Sequence, residues 1–583
     1  MLQSVGPQVL NGWNAFNAAI TGGSVPLSDC DFFSVNVIGT WVGTLKWMGS
    51  LDNVNWFDMA LQNANGAVTP AVSLTSTGTD KNGNYFASAG SGLLYVRVVA
   101  SAWTSGTAYV YTAKHRGTYV SSQDFWDTAM PFTRDAVFAI DASRSSVGET
   151  VVVNAGSGGT ALNATLGSTG SADSNDPLLL PWTGENYVYV PGVAGSYIRG
   201  GASTSTINTT GDLEVVTRFA LDDWAQPTTG GAAGVVSKAE IVGQRSWWIR
   251  VGNNGTIFSW TADGTTVIAA TTVTLPVFTA GSTWWLKHTL DVDDSAGNRV
   301  HSVWYAPDQV DEPTSWTLAA TNTVVGVTSI FAGTDIIAFG TSTMASQQSS
   351  GKYKRLIIRH SIGGAKVFDL NLGTEVASGA QTTVTDSVAG STLAITRSTA
   401  GRKCVAVTRP VWLFGTDDYM EVADNALLNM DASQSFTVVA VVRQWATPAS
   451  FGRYVDKKVI GANGWSLESS GTTAFAWAGV NDGTTLVTRS GLSAITAGTM
   501  TTTGMVVDRT SQTLSSISNA TLSASITVST VGPIGTTTSM RVGAVGDASA
   551  TGFQDFELLA VAVFRRALTA TEIATINTYY GTA

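Results

Sequence analysis

Residues 412–430 read Trp412-Leu-Phe-Gly-Thr-Asp-Asp-Tyr-Met-Glu-Val-Ala-Asp-Asn-Ala-Leu-Leu-Asn-Met430, and residues 553–576 read Phe553-Gln-Asp-Phe-Glu-Leu-Leu-Ala-Val-Ala-Val-Phe-Arg-Arg-Ala-Leu-Thr-Ala-Thr-Glu-Ile-Ala-Thr-Ile576. In the first, an apolar strand meets a polar turn. A second strand then sets Tyr419 and Glu421 against Met420 and Val422, the period of two imposed by a pleated backbone. The second stretch is a long apolar strand, then Arg565-Arg-Ala-Leu568 and a short helix. Thr569 stands three residues before Glu572, so the hydroxyl caps the helix and the carboxylate returns a bond to the cap amide. Leu568, Ile573 and Ile576 share one face and pin the helix to a sheet as a structural latch.

Together these stretches resemble the first and last elements of a laminin G-like domain, a jelly roll of the concanavalin A-like lectin class. The resemblance implies a β-sandwich that binds rather than catalyses. The same order of patterns occurs earlier in the chain. Asp141–Asn154, Tyr187–Pro191 and Gly211–Ala220 correspond to Asp386–Thr396, Asp418–Val422 and Gln434–Val442. Trp247-Trp-Ile-Arg-Val251 corresponds to Trp465-Ser-Leu-Glu-Ser469, and Lys354–His360 to Glu557–Phe564. The reading is therefore two tandem jelly rolls, at 137–375 and 380–583, which should superpose. The central copy lacks the Arg-Arg-Ala-Leu turn and the helix.

Residues 1–117 carry a further aromatic β pattern, with Gly39-Thr-Trp-Val-Gly-Thr-Leu45 followed by Gly49-Ser-Leu-Asp52 and Trp56. This resembles the small β-sandwich modules at the N-termini of phage tail and other virion proteins, and implies a docking domain. Residues 118–136, with Pro131, read as a connector. The expected fold class is all-β and multi-domain: an N-terminal β-sandwich followed by two concanavalin A-like, laminin G-like jelly rolls.

Composition agrees. At 583 residues the chain exceeds a single core, and its charged share, 13%, is low while 61 Gly supply turns. The 19 Trp, 21 Phe and 14 Tyr exclude disorder by composition. A net charge of −10 without a Lys/Arg cluster argues against nucleic acid, and no apolar run suits a bilayer span. The N-terminus lacks the basic start and apolar run of a secretory signal. Adhesin-like composition without an export signal fits a virion protein made in a host cytoplasm and released on lysis. Cys30 and Cys404 read as two free buried thiols.

Sequence patterns for catalysis are missing. No strand carries the alternating carboxylates of a glycanase, and Asp291-Val-Asp-Asp294 reads as a turn. His115, His288, His301 and His360 have no zinc spacing. His288 and His301 can meet across a hairpin, as a cross-strand pair filling a surface. The expectation is no enzyme, no cofactor and no assigned metal. Asp417, Asp418, Asp424, Asp482 and Asp547 suit either turns or a calcium rim.

The ligand signal is two Trp-Trp pairs. Strand parity places Trp247, Ile249 and Val251 inward and Trp248 with Arg250 on the other face. It likewise places Trp284, Leu286 and Leu290 inward and Trp285 with Lys287 and Thr289 outward. Outward indoles beside basic and hydroxyl groups either stack on sugar rings or pack against a neighbouring domain or subunit. Trp248, Arg250, Trp285 and Lys287 are thus the candidate ligand residues. Three functions stand in order: a minor tail or tail-tip protein binding host cell-surface glycan, a ligand-free capsid decoration or fibre protein, and a carbohydrate-active enzyme. The partners expected are other virion proteins, further copies of this chain in a homo-oligomer, and the glycan.

Overall fold

Strands dominate the computed structural model because Val, Thr and aromatic residues alternate between frequent glycine turns. It describes residues 135–581 apart from 168–170, 172, 174, 201–206, 226–231, 254, 342–347, 399–400, 446–450, 460, 470–474 and 548–550. Before residue 135 it describes 14–16, 18–19, 25–26, 32–59, 62–63, 73–78, 83–88 and 95–115. Cys30 and the connector 118–134 lie outside these residues. The chain divides into two units, Met1–Thr133 and Arg134–Ala583.

The described strands of the first unit are joined by hydrogen bonds into one antiparallel sheet. Two long strands, Phe32–Ser50 and Tyr95–His115, pair along their length and so bind the sheet into one piece. Val35, Val37, Trp41, Leu45 and Trp47 lie on one side and are buried with Val96, Val98 and Val110. Gly39 and Gly106 sit at the centre of this pairing with positive φ of 121° and 83°. A Cβ on Gly39 would fall 2.2 Å from the Thr107 oxygen, and one on Gly106 2.1 Å from that of Thr40, so only glycine fits.

The second unit holds two sandwiches with the same strand order. In the inner one, the first sheet runs Thr317–Val325, Asn298–Pro307, Thr283–Asp291, Leu213–Leu221, Ser350–Arg359, Tyr187–Pro191, Val405–Val407. In the outer one, the matching sheet runs Thr521–Leu522, Thr513–Ser518, Met500–Asp508, Phe436–Gln444, Phe556–Phe564, Val411–Phe414, Leu178–Leu180. The second sheets match likewise. The inner one centres on Gly255–Thr261, Trp247–Gly252, Ala233–Lys238, Ile337–Phe339 and Tyr197–Gly200. The outer one centres on Phe475–Asn481, Gly464–Ser469, Arg453–Lys458, Met540–Val542 and Met420–Val422. Two separate cores result, one drawn from 188–406 and the other from 137–179 together with 412–563.

The sheets therefore do not divide at 137–375 and 380–583. Each repeat opens with four strands, at 136–180 and at 366–407, and the two sets are exchanged. Lys366–Asn371 turns back on Ser350–Arg359 within six residues and completes the inner sandwich. Such a short closure costs little chain entropy. Ala136–Asp141 is left to pair with Phe556–Phe564, more than 400 residues away by numbering, so the inner sandwich is an insertion in the outer one. The C-terminal helix Ala570–Tyr580 carries the expected capping box. Its Tyr580 hydroxyl donates to Asp141 Oδ2 at 2.6 Å, tying the last element to the first strand of the unit. In the inner sandwich a single turn, Leu372–Glu375, stands near the corresponding place, capped by Asn371.

Candidate functional site

Strand Thr283–Asp291 builds the most distinctive surface of the inner sandwich. Leu286 and Leu290 enter the core, so Trp285, Lys287 and Thr289 take the outer face. Trp285 joins Val216, Ala306 and Ile357 in a small second cluster off the core and is fully buried. The parity expectation therefore holds for this residue, but its indole is not open to a ligand. The segment 308–316 covers it: Trp285 Nε1 donates to the Gln309 carbonyl at 2.9 Å, and Trp316 meets its ring edge-on at 6.4 Å.

Ion pairs fix this segment to the sheet. Buried Arg218 bonds both oxygens of Glu185 and reaches Asp308 through Nε at 2.7 Å. Arg359 holds Glu312 at 2.7 Å and Glu214 at 2.6 Å. Burial raises the Glu185 carboxyl, yet hydrogen bonds from Arg218 and Lys354 bring it below its ordinary value overall. Trp316 is thus held over the sheet, and Lys287 runs up between two indoles. Its Nζ lies 4.6 Å from the Trp316 centroid and 4.7 Å from that of Trp304, which stands directly across the strand pair. Both indoles are half-buried, and Ser302 and Thr321 share a hydrogen bond at 2.9 Å on the same face. Partial burial pulls the Lys287 ammonium down, opposed by the carboxylates of Glu214 and Glu312.

Trp304 and Trp316 were missed in the sequence. Trp304 was within reach: pairing Thr283–Asp291 with Asn298–Pro307 puts it opposite Lys287. Trp316 lies in irregular chain, where parity says nothing.

Trp248 and Arg250 lie on the other sheet, so the four candidate residues do not converge. Trp248 is off the core cluster yet only 4% exposed, between Ser237 and Ser259. This corrects the expectation of an open indole, because parity fixes the face and not what covers it. Arg250 Nη2 approaches Ser259 Oγ at 3.4 Å, and burial lowers its guanidinium.

His288 and His301 do meet, at 3.2 Å, but inside the core against Phe258 rather than on a surface. Thr256 Oγ1 contacts His288 Nε2 at 3.2 Å. Burial holds His288 well below its usual range and His301 at about 4, so the pair is neutral near pH 7. Cys404 is a free buried thiol pushed up to about 12 by burial.

Three of the five aspartates considered for a cation, Asp418, Asp424 and Asp482, have other partners. Asp418 takes two bonds from Arg402 and one from the Gly415 amide. Asp424 pairs with Lys457 at 2.7 Å, and Asp482 accepts from the amides of Thr484, Thr485 and Gly532. Asp294 accepts from the Ala296 and Asn298 amides and closes a hairpin turn. Among the described residues no three His, Cys, Asp or Glu side chains gather as a metal site.

Residues 414–574, within the outer sandwich, match the family model described as the concanavalin A-like lectin/glucanases superfamily. The expected all-β architecture of concanavalin A-like jelly rolls is the one observed. No curated protein matches the chain. Among solved structures it is similar to the binding domain of Paraclostridial Mosquitocidal Protein 1, at 12% identity and TM-score 0.26, over 30% of this chain and 44% of that one. It is similar to the Ruminococcus gnavus IT-sialidase CBM40 bound to α2,3 sialyllactose, at 11% and 0.21, over 26% and 91%. It is also similar to botulinum neurotoxin type C, whose cell entry depends on two ganglioside molecules, at 11% and 0.23, over 27% and 39%. The match therefore spans less than half of the first and third of these chains.

Proposed function

We propose that this chain binds carbohydrate without transforming it, and that it does so as a bacteriophage minor tail or tail-tip protein contacting the host cell-wall glycan. One observation carries the binding reading: Trp304 and Trp316, both half-buried, flank Lys287 on a sheet face rigidified by ion pairs. Indoles supply apolar faces for the C–H side of a sugar ring, and the neighbouring hydroxyls and charged groups supply hydrogen bonds around it. Pinning segment 308–316 before binding reduces the ordering cost of association. The virion role rests on the adhesin-like composition and on the resemblance of the N-terminal residues. With it come other virion proteins as partners and a homo-oligomer, since weak sugar contacts gain strength by repetition.

The test is binding of the whole chain to host cell-wall polysaccharide, compared with Trp304→Ala/Trp316→Ala. Binding that falls at least about tenfold in the double variant, with unchanged melting, supports the reading. A second reading, a ligand-free structural virion component, is favoured by the burial of Trp248 and Trp285. No binding by either protein would leave that reading in place, whereas equal binding by both would move the glycan site away from Trp304 and Trp316.

A further inference from the structure

We infer that the glycan taken by this face is acidic, and that its anionic group pairs with Lys287; the inference rests on the carbohydrate reading above. The outer face is dense in cations, and five of them have carboxylate partners. Arg218 pairs with Glu185 and Asp308, Lys354 with Glu185 at 2.9 Å, and Arg355 with Asp369 at 2.8 Å. Arg359 takes Glu214 and Glu312, and Lys366 takes Asp369 at 2.8 Å. Among the described residues Lys287 and Lys352 have none, and of the two Lys287 is the one that stands between indole faces. Among the described residues no carboxylate stands within 4 Å of its Nζ, and its near neighbours are the two indole faces.

The two carboxylates electrostatically closest to it, Glu214 and Glu312, are both committed to Arg359. An ammonium lifted partly out of water without a counter-ion is costly, and aromatic faces offset only part of that cost. An anion arriving at the gap between Trp304 and Trp316 completes the shell with a charge-assisted hydrogen bond, among the stronger kinds available to a protein. A neutral sugar leaves the same deficit. The arrangement therefore selects a sugar that carries a carboxylate or sulfate beside a stackable ring.

The experiment is a glycan array probed with the whole chain, containing neutral oligosaccharides, uronate-containing ones, their carboxyl-reduced counterparts and sulfated ones. Uronate or sulfated members should be bound, and the carboxyl-reduced counterparts should bind about tenfold or more weakly. Lys287→Gln should erase that preference, and Lys287→Arg should keep it. The preference should also weaken with added salt. Relative strength of the uronate and sulfate arms identifies the anion. Neutral glycans bound through Trp304 and Trp316 without acid preference, or a preference that survives Lys287→Gln, overturns the inference while the carbohydrate reading stands. No glycan bound at all overturns both.

Discussion

The two sandwiches share a strand order yet treat equivalent positions differently. Val236, Ile249 and Phe258 of the inner one correspond to Val455, Leu467 and Ala478 of the outer one, and all six are core residues. On the opposite face the row Ser237, Trp248, Ser259 corresponds to Asp456, Ser466, Gly479. The inner sandwich fills this row with an indole. The outer one fills it with a buried polar network: Asp456 accepts from the Gly546 and Lys458 amides, and Lys458 donates to Ser466. Alternation decides which residues meet the opposing sheet in both. What covers the far face is set by loops whose sequence carries no period.

Closure differs even more. The inner core is drawn from one continuous stretch, whereas the outer core needs Phe138, Ile140, Leu162 and Leu179 from the far side of the insertion. A fragment of residues 181–410 should therefore fold cooperatively alone, and 411–583 should not, as melting and amide exchange would show. Stripping those side chains from the outer core costs more than the roughly 5–15 kcal/mol by which a domain is stable. Adding a 135–180 peptide in trans should restore the outer sandwich. A folded 411–583 fragment would break the exchange.

This exchange also marks the limit of what could be read from the chain. The repeat was visible because Asp141–Asn154 and Asp386–Thr396 open runs of matching pattern, and the faces of Trp247–Val251 and Trp284–Leu290 followed from parity. Either opening set suits either body, however. The choice turned on a six-residue connection, 360–365, which carries no hydrophobic pattern. For the same reason Lys287 was legible and the Trp316 above it was not.

Substitutions at buried indoles sharpen the contrast in faces. Trp285→Ala should destabilise the inner sandwich by about 3–5 kcal/mol, because it empties a closed site and strips the Gln309 carbonyl of its donor. Trp248→Ala should cost the inner sandwich about 2–4 kcal/mol, rather than the small penalty of an exposed position. A loss below about 1 kcal/mol at either, by denaturant melts, would mean that the covering segments are open in solution.

Acid should move the two transitions in opposite directions. The places of His288 and His301 are taken in the outer sandwich by Met505 and Leu514. Burial holds folded His301 at about 4, below the ordinary 6.5 of the unfolded chain, so between these the unfolded chain binds the extra proton and inner stability drops as pH is lowered. At ~1.4 kcal/mol per unit, His301 accounts for up to about 3 kcal/mol of that loss. Asp456 has the reverse linkage. Burial pushes it up to about 6 from 3.8, so the folded outer sandwich takes the proton first and this group adds stability as pH falls through that window. His301→Leu should flatten the inner trend, and Asp456→Asn should remove its share of the outer one. Calorimetry between pH 7 and 4 reads both, and parallel shifts of the two transitions would contradict the assignment.

The smallest difference lies at the helix ends. Thr569 Oγ1 accepts from the Glu572 amide at 3.3 Å, and Glu572 accepts from the Thr569 amide at 2.8 Å while also pairing with Arg566. Thr569→Ala breaks one half of this box and should cost the outer transition about 1 kcal/mol. Asn371 makes only one cap bond, to the Gly373 amide at 3.1 Å, above a helix of a single turn. Asn371→Ala should cost the inner transition about 0.5 kcal/mol, near the floor of the capping range, because one cap bond above a single turn supports little further helix. Each substitution should shift only its own transition, since the two cores share no residue. A shift of both by Thr569→Ala would show that the two sandwiches unfold as one unit.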